Sequence, residues 1–125
     1  MGKAIFAAFA LAALAKLFWF DVVIADGNSM EPTIRSGSVL FVNRLQYGLR
    51  LPGRRDFIVR WAEPREGHVV VFFTPAGDIA VKRSAGSYGD GRFIAVGDNS
   101  RLSYDSRSFG PVSPDAVIGR VLGVR

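Results

Sequence analysis

The sequence predicts a mainly β protein: a compact barrel or sandwich of short strands, with an apolar helix at its N-terminus. Three observations carry this reading. Short β-rich runs recur at close spacing after residue 20. Stretches rich in Gly, Pro, Ser and Arg separate them, as turns do in small β domains. One run of helical length, residues 4–15, is wholly apolar and stands at the start.

That first run is interrupted by Lys16 and resumes as Leu17-Phe18-Trp19-Phe20. A membrane span needs about 20 apolar residues. The run reaches that length if Lys16 snorkels its ammonium to the headgroups, with Phe18, Trp19 and Phe20 in the interfacial aromatic belt. Lys3 makes the short N-terminal flank positive and favours an N-inside orientation. An anchor helix over residues 1–20 is the expectation, with residues 21–125 as the domain beyond it. Two other readings stay open. Ala13-Leu14-Ala15 has the form of a signal cleavage site, though the segment before it is short, and the run also suits an interfacial helix.

Residues 22–25 form a short apolar run leading into a turn at Gly27. Residues 38–42 and 57–61 are β-rich. Residues 68–74 give the strongest strand, because Val69 to Phe73 is unbroken and implies burial on both faces. Pro75-Ala76-Gly77-Asp78 signals a hairpin into residues 79–82. Residues 93–96 and 117–124 complete the strands.

The chain has 125 residues, enough for one domain, and no cysteine, so neither a disulfide framework nor a thiolate metal site. The net charge of +5 comes from scattered basic residues. No nucleic-acid module signature accompanies them, so anionic lipid is the better partner for the charge. Arg54, Arg55 and Trp61 suit a membrane interface.

Ser29 and Lys82 are the candidate chemistry. A serine hydroxyl needs a base, and the single histidine, His68, lies at a strand entry where a structural role is expected. A lysine replaces histidine as base when burial keeps it neutral. Lys82 follows Ile79, Ala80 and Val81, the apolar setting such a lysine needs. Gly27 and Asn28 permit an unusual turn before Ser29 that can aim its N–H at a carbonyl, and Pro32 stiffens the exit. Arg83, next along the strand, is expected to be a solvated residue.

The chain resembles the type I signal peptidases, and the likeness is ordered. Ser29-Met30-Glu31-Pro32-Thr33 looks like that family's nucleophile motif, and Tyr47-Gly48-Leu49-Arg50-Leu51-Pro52 like the bacterial loop that follows. Glu66 to Phe72 is similar to its Arg-Gly-Asp-x-Val-Val-Phe strand, with His68 in place of Asp. Val81-Lys82-Arg83 resembles the general-base motif, and Gly97-Asp98-Asn99 with Asp105-Ser106-Arg107 the last block. The resemblance implies a signal-peptidase-like fold in a minimal form, because only residues 83–96 fill a gap where many members carry a large β insertion.

It also implies roles. Ser29 is the nucleophile, Lys82 the general base, and Ser103 a hydroxyl partner of the lysine. Asp105 and Arg107 form a supporting ion pair, and Asp98 and Asn99 cap the turn that returns this loop. Gly27 stands where many members have a serine that helps bind the oxyanion. Ala25, Met30, Ala80 and Val81 are expected to line shallow pockets for small substrate residues at positions −1 and −3. The implied activity is removal of signal peptides from exported preproteins by a monomeric serine endopeptidase, held at the plasma (inner) membrane with its catalytic domain on the extracytoplasmic face. No metal or organic cofactor is implied. A peptidase dedicated to one pilin or conjugation client, and a catalytically silent peptide-binding homologue, are the alternatives.

Overall fold

The computed structural model describes residues 1–50 and 57–125, and of residues 15–18 only the backbone. Arg54, Arg55 and the end of the bacterial loop motif, Leu51-Pro52, lie outside the described residues. Helix α1 spans Gly2–Phe18. Eight strands follow among the described residues: β1 (Phe20–Ile24), β2 (Val39–Asn43), β3 (Gly48–Leu49), β4 (Val59–Arg60), β5 (Val69–Phe73), β6 (Ile79–Ser87), β7 (Phe93–Val96) and β8 (Val117–Val124). A one-turn helix, α2 (Ser106–Phe109), lies between β7 and β8.

The chain leaves the helix earlier than expected. Phe20, placed at the end of an anchor by its hydrophobicity, opens β1 opposite Asn43. Aromatic and β-branched residues from Phe20 to Ile24 favour extended backbone once a partner strand is present. No helix among the described residues is long and apolar enough to cross a membrane.

Among the described residues, six strands form one antiparallel sheet in the order β1-β2-β8-β5-β6-β7, and β3 pairs with β4. Among the described residues the expected barrel does not close: β1 and β7 are the two edges of an open sheet. The reason is visible in β6. Only its second half, from Arg83 to Ser87, pairs with β7. Its first half, Ile79 to Lys82, pairs with β5 and leaves its other side open among the described residues. The outer side of β1 is open in the same way.

The core lies on both faces of the sheet, as the unbroken run of β5 requires. Val70, Val71 and Phe72 are fully buried. Val70 and Phe72 join Tyr47, Phe93, Ala95, Val112 and Val117 on one face, while Val71 joins Met30, Ile34, Leu40 and Val42 on the other. Phe72 and Phe93 meet edge to face at 6.0 Å, an arrangement worth roughly 0.5–1.5 kcal/mol beyond the area it buries. His68 sits at the strand entry, where its Nδ1 accepts from the Arg65 N–H at 3.3 Å and stands 2.9 Å from the Tyr47 hydroxyl. Burial and the nearby Arg120 and Arg65 charges lower its pKa.

Candidate functional site

The second core cluster ends at a loop that carries Ser29. Gly27 has φ 88°, a left-handed conformation that costs a glycine little. Its N–H donates to Ser36 Oγ at 3.1 Å. The chain then turns, with Glu31 N–H donating to the Asn28 carbonyl at 3.2 Å. Met30 drops into the core at 3% exposure, so Ser29 is left at the rim.

Lys82 comes from the other side. Its pairing opposite Val70 places it in the body of the sheet, and it is only 7% exposed. Its Nζ lies 2.8 Å from Ser29 Oγ. Burial lowers the Lys82 pKa from the ordinary lysine value, while the negative charge of Asp105 opposes that shift. An amine in contact with an alcohol can take up the alcohol's proton once it is neutral, and burial shifts Lys82 in that direction.

The segment from Gly97 to Arg107 ties the two sides together. Asn99 N–H donates to the Ser29 carbonyl at 2.8 Å, and Asn99 Nδ2 to the Asn28 carbonyl at 3.1 Å. Asp98 N–H meets Met30 Sδ at 3.4 Å. The Asp98 carboxylate accepts a two-pronged pair from Arg83, at 2.9 and 2.8 Å. Arg83 also donates to the Gly67 carbonyl. Two expectations are corrected here. Arg83 is a brace and not a free solvated residue, because Asp98 arrives beside it from 15 residues onward. Asn99 occupies the cap position of a short turn but makes no side-chain cap bond; it and Asp98 spend their polar atoms on the serine loop and on β6.

Asp105 is completely buried. Burial alone pushes its pKa up, but hydrogen bonds outweigh it and hold the carboxyl well below the usual range. The donors are Arg107 through Nε at 2.9 Å, Nη2 at 2.7 Å and its own N–H at 3.1 Å, Ser103 Oγ at 2.7 Å, and Gly97 N–H at 2.8 Å. Ser103 thus gives its proton to Asp105, and among the described residues its hydroxyl makes no bond to Lys82. A hydroxyl suits either acceptor, and the ionised carboxylate is the stronger one. Gly97 is required by close approach: a Cβ there would run into the Ser103 side chain and stand 2.7 Å from the Ser29 carbonyl oxygen.

A groove of about 300 Å³ opens in front of the pair. All four expected pocket residues, Ala25, Met30, Ala80 and Val81, line it together with Ser29 and Lys82. It lies between the open sides of β1 and β6. Hydrogen-bonded pairs alternate in an antiparallel ladder. Ala25 N–H bonds to Ser38, and Thr74 N–H bonds to Asp78, which fixes the phase of each strand. The backbone groups of Ile24 on one strand and of Ile79 and Val81 on the other therefore point into the groove. The Ser29 N–H carries no hydrogen bond among the described residues. No cluster of three or more His, Asp or Glu side chains there is placed to hold a metal ion.

Comparison with known proteins gives the family. The family model described as signal peptidase, peptidase S26, matches residues 1–91 and 88–124. Signal peptidase I of Bacillus caldolyticus is 29% identical, over 93% of this chain and 85% of the relative. That alignment runs over 154 positions, so the relative carries residues that this shorter chain lacks. Signal peptidase I of Pseudomonas fluorescens is 27% identical over 98% of this chain, which spans only 40% of that relative. Mitochondrial inner membrane protease subunit 1 of Xenopus tropicalis is 32% identical, over 81% of this chain and 66% of its own length. With both the Ser29 and the Lys82 segments inside the matched residues, the chain belongs to the signal peptidase family, peptidase S26, a family of serine endopeptidases.

Proposed function

We propose that this protein removes signal peptides from exported preproteins, with Ser29 as nucleophile and Lys82 as general base. The observation that carries the reading is the 2.8 Å contact between a serine hydroxyl and a lysine amine that burial drives toward its neutral form.

Each step balances within these two side chains. Neutral Lys82 takes the Ser29 proton as Oγ attacks the scissile carbonyl carbon. The Ser29 N–H meets the oxygen that becomes negative. The tetrahedral centre collapses, the C–N bond breaks, and the Lys82 ammonium gives its proton to the leaving amine. Water then repeats the attack on the ester, with Lys82 again the base, and Ser29 recovers its proton.

The groove supports an extended substrate. A peptide strand entering between β1 and Ile79–Lys82 would pair with backbone on both sides, a β-augmentation. The side chains nearest Ser29 leave shallow room, which favours small residues at positions −1 and −3. Asp98, Arg83, Asp105, Arg107 and Ser103 hold the loop, and none of them is required to touch the substrate.

The N-terminal segment supports attachment to a membrane. The apolar side chains Ile5, Phe6, Phe9, Leu11 and Leu14 of α1 are exposed. A 17-residue helix rises only about 25 Å, somewhat short of a bilayer core of about 30 Å. Exposed Trp19 and Phe20 extend the apolar surface beyond it. In this reading the helix holds the domain at the plasma membrane with the groove on the extracytoplasmic side.

The test is cleavage of an Ala-x-Ala preprotein by wild type, Ser29→Ala and Lys82→Ala. Wild type cuts after the second alanine, and both variants lose activity by a factor of at least about 10³. Full activity in either variant removes the pair from the mechanism.

A further inference from the structure

The geometry points to Asn99 as the residue that aims the oxyanion donor; this rests on the Ser/Lys reading above. The Asn28–Ser29 peptide is trans, as are all peptides of the described chain except Glu31–Pro32. In a planar trans peptide the carbonyl and the N–H point in opposite directions. Whatever holds the Asn28 carbonyl therefore sets the direction of the Ser29 N–H.

Among the described residues, two donors hold that carbonyl. The Glu31 N–H, at 3.2 Å, closes the local turn. Asn99 Nδ2, at 3.1 Å, comes from 71 residues away. The turn bond is internal to the loop and does not orient that carbonyl against the rest of the molecule. Asn99 supplies that outside reference with two donors: its carboxamide holds the Asn28 carbonyl, and its backbone N–H holds the next carbonyl, that of Ser29, at 2.8 Å. Two successive carbonyls are thus pinned on one side, and the Ser29 N–H is presented on the other.

Asn99 is further tied to the base. Asp98, the preceding residue, is clamped by Arg83, and Arg83 follows Lys82 in β6. The oxyanion donor and the amine are therefore positioned by two segments, residues 82–83 and 98–99, that the Arg83–Asp98 ion pair joins. Asn99 is a positioning residue in this account, since it touches neither the substrate nor the reacting atoms.

The discriminating variant is Asn99→Asp. It keeps the shape and the backbone N–H, but its carboxylate cannot donate to a carbonyl. The transition state uses the aimed N–H more than bound substrate does, so the loss falls on kcat. The expected result is a kcat lowered by about tenfold to a hundredfold, with KM changed less than about twofold. A peptide aldehyde, which forms a tetrahedral adduct on Ser29, should lose affinity by a similar factor. A non-cleavable peptide of the same sequence should bind as before, and the melting temperature should stay within a few degrees. An unchanged kcat overturns the proposal. So does a parallel loss of aldehyde and peptide affinity, which would mean that the loop has simply loosened. Ser29→Ala and Lys82→Ala run alongside: if either is fully active the dyad itself falls, whereas dead controls with an unaffected Asn99→Asp remove only the role of Asn99.

Discussion

Lys82 Nζ stands 2.8 Å from Ser29 Oγ although 53 residues separate the two in the chain. The lysine is fixed by its place in the ladder, opposite Val70. The serine is fixed by Met30 beneath it and by the Asn99 bonds behind it. Neither depends on the other for its position, so an amine and an alcohol are held together before any substrate arrives.

The pH dependence of cleavage follows from the state of that amine. Only neutral Lys82 can accept the Ser29 proton, so kcat/KM should rise with pH and level off above the Lys82 pKa. Burial lowers that pKa below 10.5, and the acid limb should fall correspondingly below the ordinary lysine midpoint. The same shift affects stability. The unfolded lysine holds its proton more tightly than the folded one, so below the ordinary midpoint the site costs folding energy. Lys82→Met should be inactive yet at least as stable as wild type at pH 7 by thermal melting. An acid limb centred at 10.5 would remove the buried-base mechanism.

Much of the fold was legible because its signals are local. The five apolar residues of β5 read as a strand buried on both faces, and Pro75 to Asp78 as a turn. Lys82 was legible as a base candidate because three apolar residues precede it. What escaped was set by partners distant in sequence. Alternation along β6 gives Arg83 the side opposite Lys82, but nothing in the strand reveals that Asp98 will meet it there. Ser103 has a hydroxyl that fits a lysine or a carboxylate, and the choice of Asp105 depends on how residues 97–105 fold back. Barrel closure likewise rests on whether all of β6 finds a second neighbour, and only its latter half does. The signal that could have pointed to the Arg83–Asp98 pair was the charge itself: a half-buried strand arginine is favoured by an acid within reach.

Gly97→Ala should test how tightly the serine loop is backed. The added Cβ would stand 2.7 Å from the Ser29 carbonyl oxygen and press on the Ser103 side chain. Backbone cannot yield as a flexible side chain would, so the loop must move. Overpacking of this kind costs about 1–3 kcal/mol, and a displacement of the nucleophile by about 1 Å can cost a hundredfold in rate. The expected outcome is a folded protein, destabilised in urea by that amount, with kcat/KM reduced by about a hundredfold. Wild-type activity in this variant would mean that Ser29 is not held from behind.

Asp105→Asn should separate support from electrostatics. The buried carboxylate accepts bonds from Gly97, Ser103 and Arg107, and an amide presents N–H groups to some of those same donors. The expected destabilisation is about 2 kcal/mol, moderated because the Arg107 side chain is half exposed and can rehydrate. Asp105 has a folded pKa depressed below the ordinary carboxyl value of 3.8. Its contribution is therefore fully present above that value and is lost as pH falls toward the folded pKa, so the wild type should weaken over that range more steeply than the variant. The charge has a second effect, since it raises the Lys82 pKa against the pull of burial. Removing it lets that pKa fall further, and the acid limb of kcat/KM should move to lower pH. A limb that stays in place while stability drops would assign Asp105 to the scaffold alone, and a limb that moves to higher pH would contradict the sign of its field at the amine.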